Sequence, residues 1–422
     1  MGMKTTMASL YGKMDIRIRE CELPPLADDE ILMRIETNGI CLSTHKAARL
    51  GEEHMRVPDN ISEVPVCTGH ELAGTIEQIG AKWQDRFHVG QHATIQPSYR
   101  FAGGEWAPGY SFEFFGGNAL YAILPGSLVG TDYFITYEDD YFAFASLGEP
   151  MSCIIGAFNS LFHDTAQSHE HTSGNVPGGN MALMASCGPM GVGAIDYAVN
   201  GPRKPRLLVV TDVDKARLAR AAELITVEHA AENGVELHYL NMNEVEDQYQ
   251  TLMDLTGGEG FDDTIVFAAV VPVLELANAT LGMNGCLNFF AGPLDKAFAA
   301  KVNYYDVHYR RTHLVGNSGG NLDDILESLR GAREGWLHPE YMITHVLGLK
   351  DVPETILHLP QIPGGKKLVY PHCDIPFMAL EDFEARRDED PVFAQIADIL
   401  AANKGVWCKE AERVLLREKS RF

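Results

Sequence analysis

Four residues in the first part of the chain carry side chains that bind zinc in proteins. They are Cys41, His70, Glu71 and Glu149, and each lies within two residues of a glycine. Zinc accepts thiolate, imidazole and carboxylate ligands, and a catalytic site needs three protein ligands with a position left open for water or a substrate oxygen. The residue types fit that requirement. Their spacing alone is also typical of core residues and hydrogen-bonded loop residues, so both interpretations stay open at this point.

A glycine-rich turn between a strand and a helix is the second feature with recognisable chemistry. The apolar run Met181–Ala185 predicts the strand, and Gly191–Ala198 predicts the helix. Glycines in such a turn let the backbone approach a pyrophosphate, while the N–H groups at the helix N-terminus bind the anion. Ser186 stands where this fingerprint has its first glycine, so a tight turn without a ligand is the alternative. The candidate dinucleotide-binding residues in the turn are Gly188, Pro189, Met190, Gly191 and Gly193.

Asp212 lies at the end of the next predicted strand, near the spacing at which an acid accepts hydrogen bonds from the adenosine ribose. A carboxylate there repels a 2′-phosphate, so the sequence favours NAD(H) over NADP(H). Arg217 could soften that preference. The alternative is a role for Asp212 in a strand-end turn or helix cap, and Asp214 could equally cap the following helix.

Two kinds of hydrophobic pattern divide the chain. In the first, short apolar runs such as Glu30–Ile35 and Leu120–Leu124 alternate with Gly and Pro, which predicts a barrel-like β domain. In the second, strands alternate with helices, which predicts a doubly wound parallel sheet of the α/β class. We therefore predict a dinucleotide-binding domain over 155–315 and a catalytic domain made of 1–154 and 316–422.

Three further segments carry local signals. The polar stretch from His163 to Asn180 is predicted to be an exposed loop, and Leu322–Glu334 is predicted to be a helix. A turn at Gly364 and Gly365 leads into a strand that ends at a proline. The tail from 372 to 422 contains an amphipathic stretch over 392–402 and is predicted to be an added helical element, whose function the sequence does not specify.

Composition excludes several classes of partner. The chain has 34 Lys and Arg residues against 58 Asp and Glu residues, a formal charge of −24. Such an excess of negative charge repels phosphate backbones and anionic lipids, so we expect neither a nucleic-acid nor a membrane partner. The eight cysteines are scattered and no leader-like apolar run begins the sequence, so a cytoplasmic location is expected.

Taken in order along the chain, these motifs resemble the zinc-dependent branch of the medium-chain dehydrogenase/reductases, in particular its polyol and threonine dehydrogenase group. The resemblance implies a GroES-like β-barrel catalytic domain and a Rossmann domain, assembled as a homodimer or homotetramer. It continues to about Pro371. The matching segments before the Gly188 turn are Asn38–Ser43, Gly69–Gly74, Val89–Gln91, Gly116–Tyr121 and Leu147–Pro150.

By that resemblance, one catalytic zinc is bound by Cys41, His70 and Glu149. Glu71 would lie beside the metal as an exchanging or outer carboxylate, and Cys153 is an alternative ligand. Many relatives also bind a structural zinc through four cysteines, but this chain has no cysteine between 67 and 153. The stretch 98–115 is aromatic and glycine-rich instead, and we predict no structural zinc.

The proton relay of the family is altered here. Relatives often have Ser or Thr two residues after the cysteine ligand and His three residues further on. This chain keeps Ser43, whereas His45 comes one position early and Lys46 takes the histidine position. We predict that Ser43 carries the proton onward to either His45 or Lys46.

The predicted reaction is hydride transfer between NAD(H) and a secondary alcohol or ketone of a polyol or ketose. The Cys41–Lys46 variant, the acidic Thr211–Asp214 segment and the long tail resemble the branch of the family that reduces sorbose 1-phosphate. A metal-free quinone or enone reductase and a non-enzymatic nucleotide-binding protein are the alternatives. If the substrate carries phosphate, the candidate cations that would bind it are Lys46, Arg49, His54, Arg56, Arg310 and Arg311.

Overall fold

The computed structural model describes residues 3–99, 106–165 and 168–421, which fold into two compact units. One unit contains the residues up to Glu149 and those from Ile343 onward, and the other is Pro150–Met342. The predicted boundaries differ most at the C-terminal end of the second unit, which was expected near 315 and lies at Met342. The helix Leu322–Glu334 therefore belongs to the second unit, where the Tyr197 hydroxyl donates a hydrogen bond of 2.7 Å to Glu327.

The strands and helices are numbered in chain order. The strands are β1 (Lys4–Gly12), β2 (Asp15–Glu22), β3 (Ile31–Gly39), β4 (Val66–Cys67), β5 (Glu71–Ile79), β6 (His92–Ile95), β7 (Tyr121–Leu124), β8 (Phe134–Tyr137), β9 (Phe162–Asp164), β10 (His171–Ser173), β11 (Asn180–Met184), β12 (Leu207–Asp212), β13 (Glu236–Asn241), β14 (Phe261–Val266), β15 (Leu281–Phe289), β16 (His313–Val315), β17 (Ile343–Gly348), β18 (Lys366–Tyr370) and β19 (Met378–Ala379). The α-helices are α1 (Leu42–Leu50), α2 (Gly126–Val129), α3 (Phe142–Ser146), α4 (Gly148–Asn159), α5 (Pro189–Asn200), α6 (Lys215–Leu224), α7 (Val227–Glu232), α8 (Gln248–Leu255), α9 (Val271–Ala279), α10 (Tyr304–Tyr309), α11 (Leu322–Glu334), α12 (Val352–Leu357), α13 (Asp382–Ala385), α14 (Pro391–Ala402) and α15 (Lys409–Lys419). Short 3-10 helices are Gly51–Glu53, Ala81–Trp83, Pro339–Met342, Leu349–Asp351 and Leu359–Gln361.

The first unit is built on a mixed sheet with the strand order β19-β17-β18-β3-β5-β6-β8, in which β7 also pairs with β3. A smaller sheet has the order β2-β1-β4. Alternate residues of β3 (Ile31, Met33 and Ile35) are fully buried in one hydrophobic cluster, as the two-residue period of a strand requires. The predicted barrel-like β domain is confirmed.

The second unit contains a six-stranded sheet in the order β13-β12-β11-β14-β15-β16, and its neighbouring strands are parallel. In chain order this is the 3-2-1-4-5-6 arrangement of a doubly wound dinucleotide-binding domain. β11 is buried along its whole length, which explains its continuous apolar sequence. The predicted α/β fold class is confirmed.

The predicted exposed loop from His163 to Asn180 is wrong in part. β9 and β10 pair there as a short antiparallel hairpin, while residues 166–167 lie outside the described residues. His163 is buried: its Nε2 lies 2.9 Å from Asp263 Oδ1, and its Nδ1 lies 2.9 Å from the Asn284 carbonyl oxygen. The sequence did not predict this hairpin because the segment is polar. Its buried residue is a histidine, whose partner Asp263 lies on the distant strand β14.

The tail is helical, as the sequence predicts, and packs on the first unit. It contributes β19, which pairs antiparallel with β17, and the helices α13, α14 and α15. The predicted amphipathic stretch 392–402 is α14. On the surface, Arg413 of α15 forms a salt bridge of 2.7 Å with Asp140. Among the helices in the described part of the chain, none is long and apolar enough to span a bilayer.

Candidate metal and dinucleotide sites

The ends of three neighbouring strands bring the zinc-type side chains together. β3 ends at Gly39, two residues before Cys41, and Gly39 pairs with Glu71 at the start of β5 and with Leu368 of β18. The thiol sulfur of Cys41, a ring nitrogen of His70 and a carboxylate oxygen of Glu71 lie within 4.8 Å of one another. Donors of these three types at this separation fit a zinc ion.

Glu71 also forms a buried ion pair that the sequence does not reveal. The Lys366 ammonium, at the start of β18, is hydrogen-bonded to Glu71 Oε1, and both side chains are buried. The site has no room for a larger residue beside this pair, since a Cβ on Gly39 would lie 2.0 Å from Glu71 Oε2. Burial lowers the pKa of Lys366, but the negative charges of Glu71 and Cys41 raise it by more, so its pKa lies above the ordinary value.

Two buried polar atoms in this cluster have no hydrogen-bond partner among the described residues, His70 Nδ1 and Glu71 Oε2. Native proteins rarely leave buried polar atoms unpaired, so a ligand is expected here. Charge gives the same indication. If Cys41, Glu71 and Glu149 are ionised, three negative charges face the single positive charge of Lys366, and a divalent cation would neutralise the remainder.

Glu149 lies in the first turn of α4 and is not one of the three residues whose ligand atoms cluster. Burial raises its pKa to about 7, and its charge in turn acts on His70. Burial likewise raises the pKa of the Cys41 thiol, against the charge of Lys366, and lowers the pKa of His70. Without a bound cation, burial therefore favours the neutral forms of Cys41, His70 and Glu149. Cys153, four residues after Glu149, lies on the same face of α4.

Ser43 connects the candidate ligands to a tyrosine that the sequence analysis missed. Its hydroxyl lies 3.0 Å from Cys41 Sγ and 3.4 Å from His70 Nε2, and it accepts a hydrogen bond of 2.7 Å from the Tyr110 hydroxyl. The Tyr110 ring stacks on His70 at a centroid distance of 5.1 Å and on His54 at 5.6 Å. The only sequence signal for this residue is the aromatic, glycine-rich stretch 98–115, of which 100–105 lie outside the described residues.

The two candidates for the outer relay lie in different surroundings. His45 is buried on α1 with its Nδ1 2.9 Å from the Ile356 carbonyl oxygen, and none of the hydrogen bonds found in the described ranges joins it to Ser43. Lys46 is partly buried, and desolvation lowers its pKa while the nearby Cys41 raises it. Lys46 therefore interacts electrostatically with the Cys41 thiol, whereas the hydrogen bond that His45 forms is with Ile356 and not with Ser43.

The candidate phosphate-binding cations separate into two groups. Arg56 is exposed, has its guanidinium 5.7 Å from the centre of the Tyr110 ring, and forms no salt bridge within the described ranges. Arg49 is exposed at the end of α1. In the second unit, Arg310 lies 4.0 Å from Asp306 and Arg311 lies 3.2 Å from Asp164, so both of these are paired with carboxylates.

The glycine turn leaves backbone donors and open space at the N-terminus of α5. Gly188 is the N-cap of α5 and Pro189 is its first residue, so the N–H groups of Met190 and Gly191 precede the first intrahelical bond, from Val192 to Gly188. A Cβ on Gly188 would meet nothing within 4 Å, whereas one on Gly191 would lie 1.8 Å from the Ser186 carbonyl oxygen. Gly188 thus borders open space, and Gly191 permits the tight turn.

Two further residues complete the turn. Ser186, in the place of the first glycine, is buried and donates a hydrogen bond of 2.8 Å to the Leu183 carbonyl. Gly193 lets α5 pack closely, since a Cβ there would lie 2.7 Å from the Ile154 side chain. The buried Ser186 hydroxyl is thus satisfied by a hydrogen bond to the preceding strand, without a ligand.

The structure distinguishes Asp212, the last residue of β12, from Asp214, two residues later. Asp214 is the N-cap of α6 and accepts hydrogen bonds from the backbone of Ala216 and Arg217. Asp212 instead accepts one of 2.9 Å from the backbone N–H of Cys187, inside the glycine turn, and others from the two residues that follow it. The Arg217 side chain lies 3.7 Å from Asp214. Asp212 is therefore fixed beside the turn and is not needed as the cap of α6.

Comparison with known proteins gives consistent matches. The profile of the alcohol dehydrogenase GroES-like domain matches residues 27–131. The chain is 50% identical over 413 residues to mannitol-1-phosphate 5-dehydrogenase of Aliivibrio fischeri, covering 98% of this chain and 97% of that protein. It is 42% identical over 412 residues to L-sorbose 1-phosphate reductase of Klebsiella pneumoniae, again covering 98% and 97%. The solved structure of 2R,3R-butanediol dehydrogenase from Bacillus subtilis matches with a TM-score of 0.69 at 20% identity, covering 87% of this chain and 99% of that one, which shows a shared fold.

Proposed function

Because this chain belongs to the zinc-dependent medium-chain dehydrogenase/reductase family, in its polyol dehydrogenase group, we propose that it transfers a hydride between NAD(H) and a polyol or ketose phosphate. The observation that carries this proposal is the cluster of Cys41, His70 and Glu71, with its two unpaired buried polar atoms. A metal-free reductase has no use for such a cluster.

The residues that would hold one catalytic zinc are Cys41, His70 and Glu149, with Glu71 beside them. Because Glu71 is already paired with Lys366, its charge is partly neutralised, and an outer position suits it better than direct ligation. When bound, zinc would supply Lewis-acid polarisation of the substrate oxygen and stabilise alkoxide character on it. Chelation that leaves activity intact would favour the quinone or enone reductase alternative.

Ser43 is the residue we propose for proton transfer. Its hydroxyl is within hydrogen-bond reach of the Cys41 sulfur, so it lies at the edge of the space where a substrate hydroxyl would bind. Tyr110 donates to Ser43, which leaves the Ser43 proton directed away from the tyrosine and toward the cluster. The partners beyond Ser43 would then be Tyr110 and Lys46, with His45 held on the Ile356 carbonyl.

For the cofactor we propose NAD(H) at the turn from Gly188 to Gly193, with Asp212 accepting from the adenosine ribose. Asp212 Oδ2 receives one backbone hydrogen bond, so it retains acceptor capacity for a hydroxyl. A negative charge fixed at this point disfavours a 2′-phosphate. NADP(H) binding as tight as NAD(H) binding would contradict this assignment.

For the substrate we propose a six-carbon polyol phosphate and its ketose, with the sorbose 1-phosphate and glucitol 6-phosphate pair as the first candidate. Two relatives that match over nearly the whole chain are named for sugar phosphates. Arg56 supports a phosphate near the candidate metal site, because it lies over Tyr110 and forms no salt bridge among the described residues. A homodimer or homotetramer is also proposed, and sedimentation would test it.

The experiment measures kcat/KM for sorbose 1-phosphate with NADH, and for glucitol 6-phosphate and mannitol 1-phosphate with NAD+, against the three unphosphorylated sugars. We expect at least a hundredfold preference for the phosphates, together with zinc in the purified protein. Arg56→Ala should raise KM for the phosphates alone, whereas Arg49→Ala, its matched exposed control on α1, should not. Equal turnover of both substrate classes would remove the phosphate assignment.

A further inference from the structure

Glu412, in the tail, is a fully buried carboxylate that the reaction does not use directly. It lies on α15, and its oxygens accept hydrogen bonds from the backbone N–H groups of Phe142 (2.6 Å) and Ala143 (3.0 Å) and from the Tyr370 hydroxyl (2.8 Å). Phe142 and Ala143 are the first two residues of α3, whose N-cap Tyr141 supplies no side-chain bond. Glu412 therefore satisfies the N-terminus of α3 from a segment far away in the sequence.

The far end of α3 leads into the candidate metal site. The Ser146 hydroxyl, at the last position of α3, donates a hydrogen bond of 2.6 Å to the backbone carbonyl of Glu71. After Leu147 the chain enters α4, where Glu149 lies in the first turn. A shift of α3 along its axis would therefore displace both carboxylate-bearing segments of the site.

The second partner of Glu412 belongs to the strand that carries Lys366. Tyr370 ends β18, Lys366 begins it, and the Tyr370 hydroxyl also accepts a hydrogen bond of 2.7 Å from the indole N–H of Trp407. Along the same strand, the Lys367 carbonyl accepts from the backbone N–H of Ile40, next to Cys41. β18 thus positions both Lys366 and the segment next to Cys41, and Glu412 of the tail is hydrogen-bonded to Tyr370, the last residue of this strand.

We propose that Glu412 is a positioning residue for the metal site, through which the tail fixes α3 and β18. The inference rests on the proposed metal site, toward which Glu412 acts only through Ser146, Glu149 and Lys366. All of these residues belong to the same compact unit. Residues that orient ligands from outside the coordination shell commonly change metal affinity by about ten- to a hundredfold.

The test measures Co²⁺ affinity of the full chain by the visible absorption of the bound ion in competition with a chelator. Glu412→Ala should weaken Co²⁺ binding by about tenfold and alter the absorption spectrum. Glu412→Gln keeps the shape and one acceptor oxygen but places an amide donor against a backbone N–H, so it should recover part of the affinity. The matched control is Glu410→Ala, an exposed glutamate on the same helix, which should leave affinity unchanged.

Tyr370→Phe removes the hydroxyl that donates to Glu412 and accepts from Trp407. It gives a second variant should Glu412→Ala fail to fold, and it should weaken Co²⁺ binding in the same direction. Thermal unfolding of each metal-free variant separates loss of fold from loss of the site. A variant that is less stable yet binds Co²⁺ with wild-type affinity would overturn the inference. Failure of the wild-type chain to bind Co²⁺, or binding that survives Cys41→Ser, would overturn the proposed metal site instead.

Discussion

Two buried carboxylates at opposite ends of one strand show how a structural network differs from a functional site. Glu71 is paired with Lys366 at the start of β18, and Glu412 with Tyr370 at its end. Both oxygens of Glu412 are hydrogen-bonded, and its donors are backbone groups and a tyrosine. Glu71 has an unpaired oxygen beside an unpaired nitrogen of His70. The unsatisfied end has places left for a ligand, and the satisfied end has none.

The largest expected effect comes from removing a candidate ligand at the unsatisfied end. Cys41→Ser should lower kcat/KM by about a thousandfold or more and reduce the metal content, because a metal's stabilisation of the developing charge is worth several kcal/mol. Steady-state kinetics and elemental analysis measure both quantities. Cys408→Ser, in the tail, is the matched control. Wild-type turnover in Cys41→Ser would contradict the proposal that a metal ion binds at the Glu71 end of β18.

The next effect concerns stability. Lys366→Met leaves the Glu71 carboxylate buried without its partner and should cost about 3 to 5 kcal/mol in the free energy of unfolding, measured in urea. Tyr370→Phe, at the other end of β18, removes a neutral hydroxyl that donates to Glu412 and accepts from Trp407, and should cost less, about 1 to 2 kcal/mol. The double variant Lys366→Met with Glu71→Gln should recover much of the loss. Equal costs at the two ends would contradict the comparison.

A third prediction uses pH. Burial raises the pKa of Glu412 from its ordinary 4.5 to about 8, against the lowering effect of its donors. The native state therefore keeps a proton that the unfolded chain releases, so the stability due to this group is complete below pH 4.5 and is lost as the pH rises to about 8. Relative to Glu412→Gln, the wild type should lose up to a few kcal/mol of unfolding free energy over that window. A wild type that gains unfolding free energy relative to Glu412→Gln as the pH rises would refute the assignment, and Glu410→Gln provides the exposed control.

The smallest expected effect tests the hydroxyl that orients Ser43. Tyr110→Phe should lower kcat by about tenfold with little change in KM, because it removes one hydrogen bond near the reacting group and keeps the stacked ring. Tyr133→Phe, a partly buried tyrosine whose ring packs on Tyr99, is the control. A raised KM with unchanged kcat would mean that Tyr110 serves substrate binding and not the relay.

Local pattern was sufficient to predict most of the fold. β11 is apolar because both faces of a parallel sheet are covered, and α11 begins at the capping box of Asn321 and Asp324, so its predicted bounds match the observed ones. The candidate zinc ligands were predicted from the family resemblance, because their residue types and spacing alone left both interpretations open. The burial of His163 was not predicted because its partner Asp263 lies on a strand far away in the sequence.

The missed site residues share one physical cause. Lys366 pairs with Glu71 across 295 positions, and Tyr110 reaches Ser43 across 67. A lysine or a tyrosine with no local partner resembles a surface or core residue in the sequence, since its role depends on where a remote strand or loop brings it. The choice between Asp212 and Asp214 was open for a related reason, because only the backbone conformation shows which acid caps α6.

The division of the first unit between the two ends of the chain has a consequence for how the protein is made. The Thr37 hydroxyl donates a hydrogen bond to the Val369 carbonyl, 332 positions later. During synthesis, β3 can therefore pair with β18 only after all the residues between them have been translated. At roughly 5–20 residues per second that delay is on the order of tens of seconds, time enough for the second unit to fold first. If Glu412 positions the candidate metal site, a nascent chain stalled before α15 should bind a metal ion there more weakly than the full chain.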